Sequence, residues 1–307
     1  MDSISDLRFF VTLARHGTLA RAAQEFGVTP PTVSKRLASL EQRLAVRLMN
    51  RTTRRIGLTP EGETYLAQGE RLLEELEALE QAVTGGRAAP RGLLRVHATL
   101  GFGRRHIAPA ISQFLTQYPE IDVQLHLSHA PVSLPDAGFD VVIRFGDAPD
   151  SRLTARTLAH NRRVLCASPA YLERAGDPTH PTELQAHQCI IIRESDETYG
   201  TWHLTQGTQT QTVKVSGRVS SNDGETAVEW ALDGHGIILR SEWDIARYLR
   251  SGRLRQVLPE WSLPSANVVA VYPTRRYVSA RIRALLDHLT DWFEPQRKAA
   301  VKPGGHW

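Results

Sequence analysis

The spacing of apolar residues changes character along the chain. Ile4, Leu7, Phe10, Val11 and Ala14 recur at three- and four-residue intervals, which predicts an amphipathic helix that Gly17 ends. Thr18 is placed to cap a second helix over 19–26, and Gly27 breaks the pattern again. Thr29 is placed to cap a third helix whose first turn carries Pro30 and Pro31. Proline is tolerated there because the first N–H groups of a helix have no partner within it. Val33, Leu37, Leu40 and Leu44 then form one apolar stripe, leaving Ser34, Lys35 and Ser39 on other faces. Residues 51–58 have no helical period and predict a short hairpin, a wing.

Thr59-Pro60-Glu61 is a helix start: a cap, proline in the first position and an acid in the first turn. That helix is expected to run to about Val83. Tyr65, Gly69, Leu72, Leu76, Leu79 and Val83 share one line on it, and glutamates cover the other faces. Such a line packs either on its own domain or on a second copy of the chain, and the paired seam is the preferred reading. Residues 84–90 read as a hinge. From Leu93 the pattern becomes strand–helix alternation, with strands expected over 93–98, 123–127, 141–145, 164–167, 189–192, 213–220, 236–239 and 268–272. Helices are expected over 107–118, 226–232 and 279–293. This grammar predicts α/β structure with mostly parallel sheets, and a frayed tail after Pro295.

Composition narrows the classes. At 307 residues, 41% hydrophobic and 23% charged, the chain suits two or three ordinary globular domains rather than disorder or a membrane bundle. No run approaches the ~18 apolar residues of a membrane span. The polar, acidic start is unlike a secretory signal, and Cys166 and Cys189 lie in apolar runs as reduced, buried thiols would. A cytoplasmic location is expected. Net charge is only +4, yet residues 1–60 hold ten basic against four acidic residues. A basic head on a near-neutral body suggests a polyanion partner for the head, a solvated basic face being the alternative.

The head carries the strongest chemical signal. Ala22 and Ala23 supply a small contact surface, Gly27 a turn, and Val33 and Leu37 an anchor, which is what two crossing helices of a helix-turn-helix require. The exposed half of the third helix, Thr29, Pro30, Pro31, Thr32, Ser34 and Lys35, is then placed to reach base edges or phosphates of duplex DNA. Thr18 and Arg21, opening the second helix, join this set. Arg51, Thr52, Thr53, Arg54 and Arg55 form a basic strip suited to backbone or minor-groove contact.

At these residues the chain resembles the LysR-type transcriptional regulators. The resemblance rests on Phe10-Val11, on 17–23 (Gly-Thr-Leu-Ala-Arg-Ala-Ala), on 28–37 (Val-Thr-Pro-Pro-Thr-Val-Ser-Lys-Arg-Leu), on Leu40-Glu41, and on Leu44, Leu48, Asn50-Arg51-Thr52 and 58–62 (Leu-Thr-Pro-Glu-Gly). It continues through Arg144-Phe145-Gly146 and Gly234-His235-Gly236-Ile237. Asn222-Asp223-Gly224, with the Gly-His-Gly segment, resembles the branch of D-malate- and tartrate-type regulators. The resemblance implies an α plus α/β multidomain chain. A winged helix-turn-helix would span 1–59, a linker and dimerisation helix with hinge 60–91, and a two-lobed α/β effector domain 92–295. That domain would resemble periplasmic binding proteins, with one lobe over about 92–162 and 268–295, the other over about 163–267, and a tail over 296–307. It also implies a promoter inverted repeat as target, a homodimer or dimer of dimers, and RNA polymerase as a further candidate partner, with no cofactor and no membrane partner. One departure matters: many family members carry Gln where this chain has Pro30, and proline has no donor to offer a base.

Effector candidates lie at strand ends, where open α/β sheets bind ligands. They are Thr99, Leu100 and Gly101 after the first strand, then Ser128, Arg144, Arg193 and Asn222. Asn222 and Glu225 are spaced as a capping box, so capping and ligand contact both remain open. For Arg144 and Arg193 a structural ion pair is an equal alternative. Two helix starts facing one cleft would favour a carboxylate, hence an organic acid. Gly101-Phe102-Gly103 begins like a dinucleotide fingerprint but lacks the third glycine, and His126 with His129 reads as a surface pair rather than a zinc site. No nucleophile elbow or phosphate loop is present, so no catalysis is expected. A free-standing solute-binding protein, an enzyme and an architectural DNA binder remain as alternatives.

Overall fold

The structure, a computed structural model, describes residues 3–51, 56–83, 89–129, 138–146, 153–193, 200–264, 266–274, 278–299 and 307. The chain divides into two units, one ending at Ala89 and the other comprising, in the main, the rest.

The first unit contains α1 (Ser3–His16), α2 (Leu19–Glu25), α3 (Pro30–Leu44), the antiparallel pair β1 (Met49–Arg51) and β2 (Ile56–Leu58), and α4 (Pro60–Val83). Gly17 and Gly27 adopt φ of +65° and +63°, conformations that cost glycine little, so both helices stop there. Phe9, Phe10, Leu13, Ala22, Ala23, Val33, Leu37 and Leu40 close one core around these turns. The expected cap at Thr18 forms, its hydroxyl accepting the Arg21 N–H at 3.3 Å. Thr29 occupies the cap position of α3 but makes no capping hydrogen bond; its hydroxyl meets that of Thr32 at 2.9 Å. Pro31 removes one usual donor to a cap, and the other, the Thr32 N–H, bonds the Thr29 carbonyl at 3.0 Å instead.

Two contacts fix the wing and α4 on this core. The Glu41 carboxylate accepts the N–H groups of Leu48 and Met49 at 2.9 and 3.0 Å. Thr59 donates its hydroxyl to the Arg47 carbonyl and accepts the Gly62 N–H, at 2.7 and 3.0 Å. A Cβ on Gly62 would lie 1.9 Å from the Leu48 carbonyl oxygen, so only glycine admits this approach. The line on α4 splits in use. Tyr65 meets Phe10 edge-on at 5.2 Å and Gly69 lies under Leu7, whereas Leu72 and Leu79 remain 58% and 44% exposed.

The second unit holds two five-stranded sheets. The first, ordered β4-β3-β5-β14-β6, comprises β3 (Gly92–Thr99), β4 (Ile121–Ser128), β5 (Val141–Phe145), β6 (Leu153–Ala159) and β14 (Val268–Pro273). The second, ordered β11-β8-β12-β7-β13, comprises β7 (Arg163–Ala167), β8 (Cys189–Ile192), β11 (Ser220–Ser221), β12 (Ile237–Ser241) and β13 (Arg255–Val257). Helices α5 (Ala108–Gln117), α6 (Pro169–Ala175), α7 (Gly224–Leu232), α8 (Glu242–Arg250), α9 (Ala280–Trp292) and α10 (Glu294–Ala299) pack with these sheets, and a separate two-stranded hairpin joins them.

Alternation along β7 shows why the second sheet needs cover on both faces. Val164 and Cys166 pack with Ala227, Val228 and Ala231 of α7, while Leu165 and Ala167 join Tyr171, Trp202 and Leu204 on the opposite face. The chain crosses between sheets after β6 and again before β14, and buried Asn161 ties the crossings together. Its amide nitrogen donates to the Ala266 carbonyl at 2.9 Å and to the Ser241 hydroxyl at 3.2 Å. Both thiols are free and buried, and burial pushes each up to about 12.

Several expectations are corrected. The strand expected over 213–220 is two elements: the end of β10 (Gln209–Lys214), hairpinned with β9 (Thr201–Gln206), and the two-residue β11. The sheets are mixed, each with two parallel and two antiparallel pairings, because the strands entered at the crossings run against their neighbours. The segment after Pro295 is not frayed at its start, where α10 runs to Ala299. His235 lies in an exposed turn before the buried strand β12, and a Cβ on Gly236 would meet the Gln188 carbonyl at 2.4 Å.

Candidate functional site

The first surface is built by α2, its glycine turn and α3. Ala22 and Ala23 are 0% and 2% exposed, and their small side chains let the helices cross closely. Val33, Leu37 and Leu40 bury the opposite stripe of α3. What remains outward is Thr29, Pro30, Pro31, Thr32 and Lys35, with Ser34 half-buried, Arg21 exposed and Thr18 half-buried beside them. The start of α3 is a poor anion trap. Its first two residues have no N–H, and the N–H groups of Thr32 and Val33 both bond the Thr29 carbonyl. The positive charge this surface offers therefore comes from side chains, exposed Lys35 and Arg21 foremost.

Part of the head's basic surplus is structural. Arg36 and Arg43 both pair with buried Asp6, at 3.5 and 3.2 Å, and Arg15 pairs with Glu70 at 3.3 Å. Arg51 closes β1, and Thr52, Thr53, Arg54 and Arg55 lie outside the described residues.

The second candidate is a cleft in the α/β unit. β3 runs into the turn Leu100–Phe102, continued by one π-helical turn, Gly103–Ile107. A Cβ on Gly103 would meet Leu127 at 2.3 Å, so this glycine serves packing. Between this corner and the start of α7 lies a cavity of about 150 Å³. Pockets for drug-sized ligands run to roughly 300–1,000 Å³, so this one suits a metabolite of a few carbons.

Three guanidiniums line it, those of Arg144 on β5, Arg163 on β7 and Arg240 on β12, together with the carboxylates of Asp223 and Glu225. The acids are already engaged. Asp223 caps α7, accepting the Thr226 N–H and hydroxyl at 2.9 and 2.6 Å, and Glu225 pairs with Arg104. Burial pushes the Asp223 carboxyl up, but the two Thr226 hydrogen bonds, with His129 and Arg240 nearby, hold it below its ordinary value. Arg240 donates to Asp244 at 2.7 Å and Arg105 donates to the same carboxylate at 2.9 Å. One carboxylate thus serves two guanidiniums, and Arg144 has no ion pair among the described residues, which leaves the cleft electropositive. His97 lines the same wall, its Nε2 2.9 Å from the Ser128 hydroxyl. Burial, and then the neighbouring His126, lower it to about 4, so it is neutral at physiological pH.

A reading surface on a helical head, joined in sequence to an α/β ligand cleft, is matched by family comparison. Residues 4–63 match the family described as "Bacterial regulatory helix-turn-helix protein, lysR family", and residues 87–294 match "LysR substrate binding domain". The chain belongs to the LysR family of transcriptional regulators. It is 42% identical over 290 residues to the "HTH-type transcriptional regulator DmlR" of Escherichia coli K12, with 94% of each chain covered. It is 40% identical over 287 residues to the "HTH-type transcriptional activator TtdR" of the same strain, with 94% of this chain and 92% of the relative covered. Both agree with the branch suggested by the sequence. Among solved structures, full-length CrgA, a LysR-type regulator of Neisseria meningitidis, is 31% identical with a TM-score of 0.59, covering 95% of this chain and 98% of that one. The full-length Vibrio cholerae virulence activator AphB is 27% identical, also at 0.59, covering 94% and 99%.

Within this LysR-family cleft, the residues expected from the sequence divide. Thr99, Gly101, Arg144 and Asn222 line the cavity. Leu100 lies in the same turn but not on the cavity wall, Ser128 is engaged by His97, and Arg193 is exposed outside the wall. The capping reading of Asn222 is overturned: Asp223 is the cap, one residue on, which leaves the Asn222 side chain to the cleft. Because that cap is itself a carboxylate, the positive potential comes from arginines and not from the start of α7. Of the expected surface pair, His126 is exposed as read and stacks on His97 at 5.7 Å, whereas His129 is half-buried and lines the cleft. No metal-binding cluster occurs among the described residues. Arg163, Arg240 and Trp243 were missed. Arg240 was within reach of the strand-end rule, since β12 runs two residues beyond its apolar core.

Proposed function

We propose that this regulator binds an interrupted inverted repeat in promoter DNA through paired heads and answers to a small anionic metabolite held in its α/β cleft. The observation that carries the second half is the cavity of about 150 Å³ with three arginines on its wall, one lining carboxylate paired with Arg104 and the other hydrogen-bonded to Thr226. Such a site suits a short mono- or dicarboxylate. Arg144 and Arg240 would take carboxylate oxygens, and Asn222 and Thr99 would orient the rest. The exposed Leu72 and Leu79 on α4 support pairing of two chains, and a dimer of dimers follows for the family's usual assembly. One head has too little surface for a selective site, so pairing and operator symmetry go together.

Our domain assignment keeps residues 1–59 as the DNA-binding head, 60–91 as linker and 92–295 as effector domain. We read the protein as cytoplasmic and without catalytic activity, acting through its operator and, at the promoter, through RNA polymerase. The ligand shifts regulation only by binding one lobe arrangement more tightly than another. The test is a thermal-shift panel of C3–C6 carboxylates on wild type and Arg144→Ala. A true ligand raises the melting temperature with concentration, and the variant should lose that rise while melting alone at the wild-type temperature. No carboxylate raising wild-type stability, or an equal rise in the variant, would reject the site.

A further inference from the structure

An aromatic cluster adjoins the cleft, sharing Phe102 and Trp243 with its wall. Phe102, 1% exposed, stacks on Phe293 with ring centroids 5.8 Å apart and takes the edge of Trp243 at 5.3 Å. His106, on the π-helical turn, stacks on Phe102 at 4.9 Å and meets Trp243 at 5.6 Å. Into this cluster Trp307 inserts its indole, 5.2 Å from His106, 5.9 Å from Phe102 and 6.2 Å from Phe293. The Trp307 carbonyl also accepts a hydrogen bond from the Arg250 guanidinium.

These contacts come from both lobes. Phe102, His106 and Phe293 belong to the lobe of the first sheet, while Arg250 ends α8, beside β12 of the second sheet. Phe102 and Trp243 also line the effector cavity, so the cage and the cleft share two walls. The ring of His106 is suited to a cage. Burial, and then the charge of Arg105, lower it to about 4, keeping it neutral and able to lie against another π-face. Its Nε2 and the Trp307 Nε1 are both buried without a hydrogen-bond partner among the described residues, so the rings are held by stacking and desolvation.

We propose that Phe102, His106 and Phe293 form an indole-binding cage, that Trp307 is its intramolecular ligand, and that the cage together with Arg250 straps the two lobes behind the effector cavity. A tethered ligand competes at an effective concentration of order millimolar. An indole added in trans should therefore occupy the cage only when Trp307 is gone, and then at millimolar concentration.

The full chain tests this without reference to any effector. Spin labels placed at exposed positions 113 and 229, on α5 and α7, report the separation of the lobes. Trp307→Ala should broaden or lengthen that distance and speed hydrogen exchange at 103–107 and 242–250 at least fivefold. Added N-acetyl-L-tryptophanamide at tens of millimolar should reverse both changes, and Trp307→Phe should behave nearly as wild type. Arg250→Ala supplies an independent arm, broadening the distance while the near-ultraviolet signal of the packed indole persists. Wild-type distances and exchange in Trp307→Ala, or no saturable effect of the added indole, would overturn the proposal.

Discussion

Replacing Lys35 by glutamine tests whether this side chain meets DNA or only adds to the charge count. Lys35 is exposed on α3, whereas Arg43 on the same helix is turned to Asp6 at 3.2 Å. If each Lys35 neutralises one phosphate, paired heads lose two contacts in the variant. The slope of log affinity against log salt falls by about 0.9 for each phosphate, so the variant's slope should be shallower by about 1.8. Between 50 and 200 mM salt, a fourfold change, that difference amounts to about one decade of affinity. The deficit of Lys35→Gln relative to wild type should therefore shrink about tenfold across this range. Fluorescence anisotropy on a labelled promoter duplex at five salt concentrations measures it. Arg43→Gln is the control, expected to lower the head's stability and to leave the slope unchanged. Parallel lines for Lys35→Gln and wild type, or equal flattening by Arg43→Gln, would refute the assignment of these two side chains.

Three further outcomes follow from packing and charge. Gly62→Ala must move the Leu48 carbonyl away from a Cβ built 1.9 Å from it, so the head should lose about 3 kcal/mol, read as a lower urea midpoint; an unchanged midpoint would contradict the close approach. Leu72→Glu with Leu79→Glu removes four half-exposed leucines from a two-fold seam, worth about 4 kcal/mol or a thousandfold in dimer dissociation, and sedimentation should show monomers while each chain stays folded. His97 titrates near 4 when folded against 6.5 as a free side chain, because burial first and His126 second disfavour its cation. Protons taken up between these values favour the unfolded chain, so this contribution is intact above about pH 6.5 and is lost as pH falls toward 4. His97→Gln should lose less stability than wild type between pH 7 and pH 5 in urea melts, and equal losses would rule out this origin of acid sensitivity.

The sequence was most legible where local chemistry and tertiary packing agree. Gly17, Thr18 and Gly27 each fix a helix boundary by backbone geometry alone, and the structure uses all three as read. The stripe of Val33, Leu37 and Leu40 likewise determined which half of α3 faces outward. Legibility failed where the outcome depends on partners distant in sequence. The hairpin of β9 and β10 carries polar residues on both faces over much of its length, so its alternation is weak, and only Trp202, Leu204 and Val213 on the core identify it. The shift of the α7 cap from Asn222 to Asp223 is a one-residue difference between two good capping residues, decided by the course of the chain out of β11. Strand ends pointed to Arg144, but the balance of charge in the cleft could not be read from them, since Asp244 serves both Arg240 and, across 139 positions of sequence, Arg105.

The most direct test of the account is a footprint of the purified protein on the DNA upstream of its own gene, with and without the carboxylate that raises its melting temperature. The account predicts two protected half-sites related by a two-fold axis, about one helical turn apart or a multiple of it, with protection altered by that acid. Protection of a single unsymmetrical patch, or an identical footprint in the presence of the acid, would contradict it.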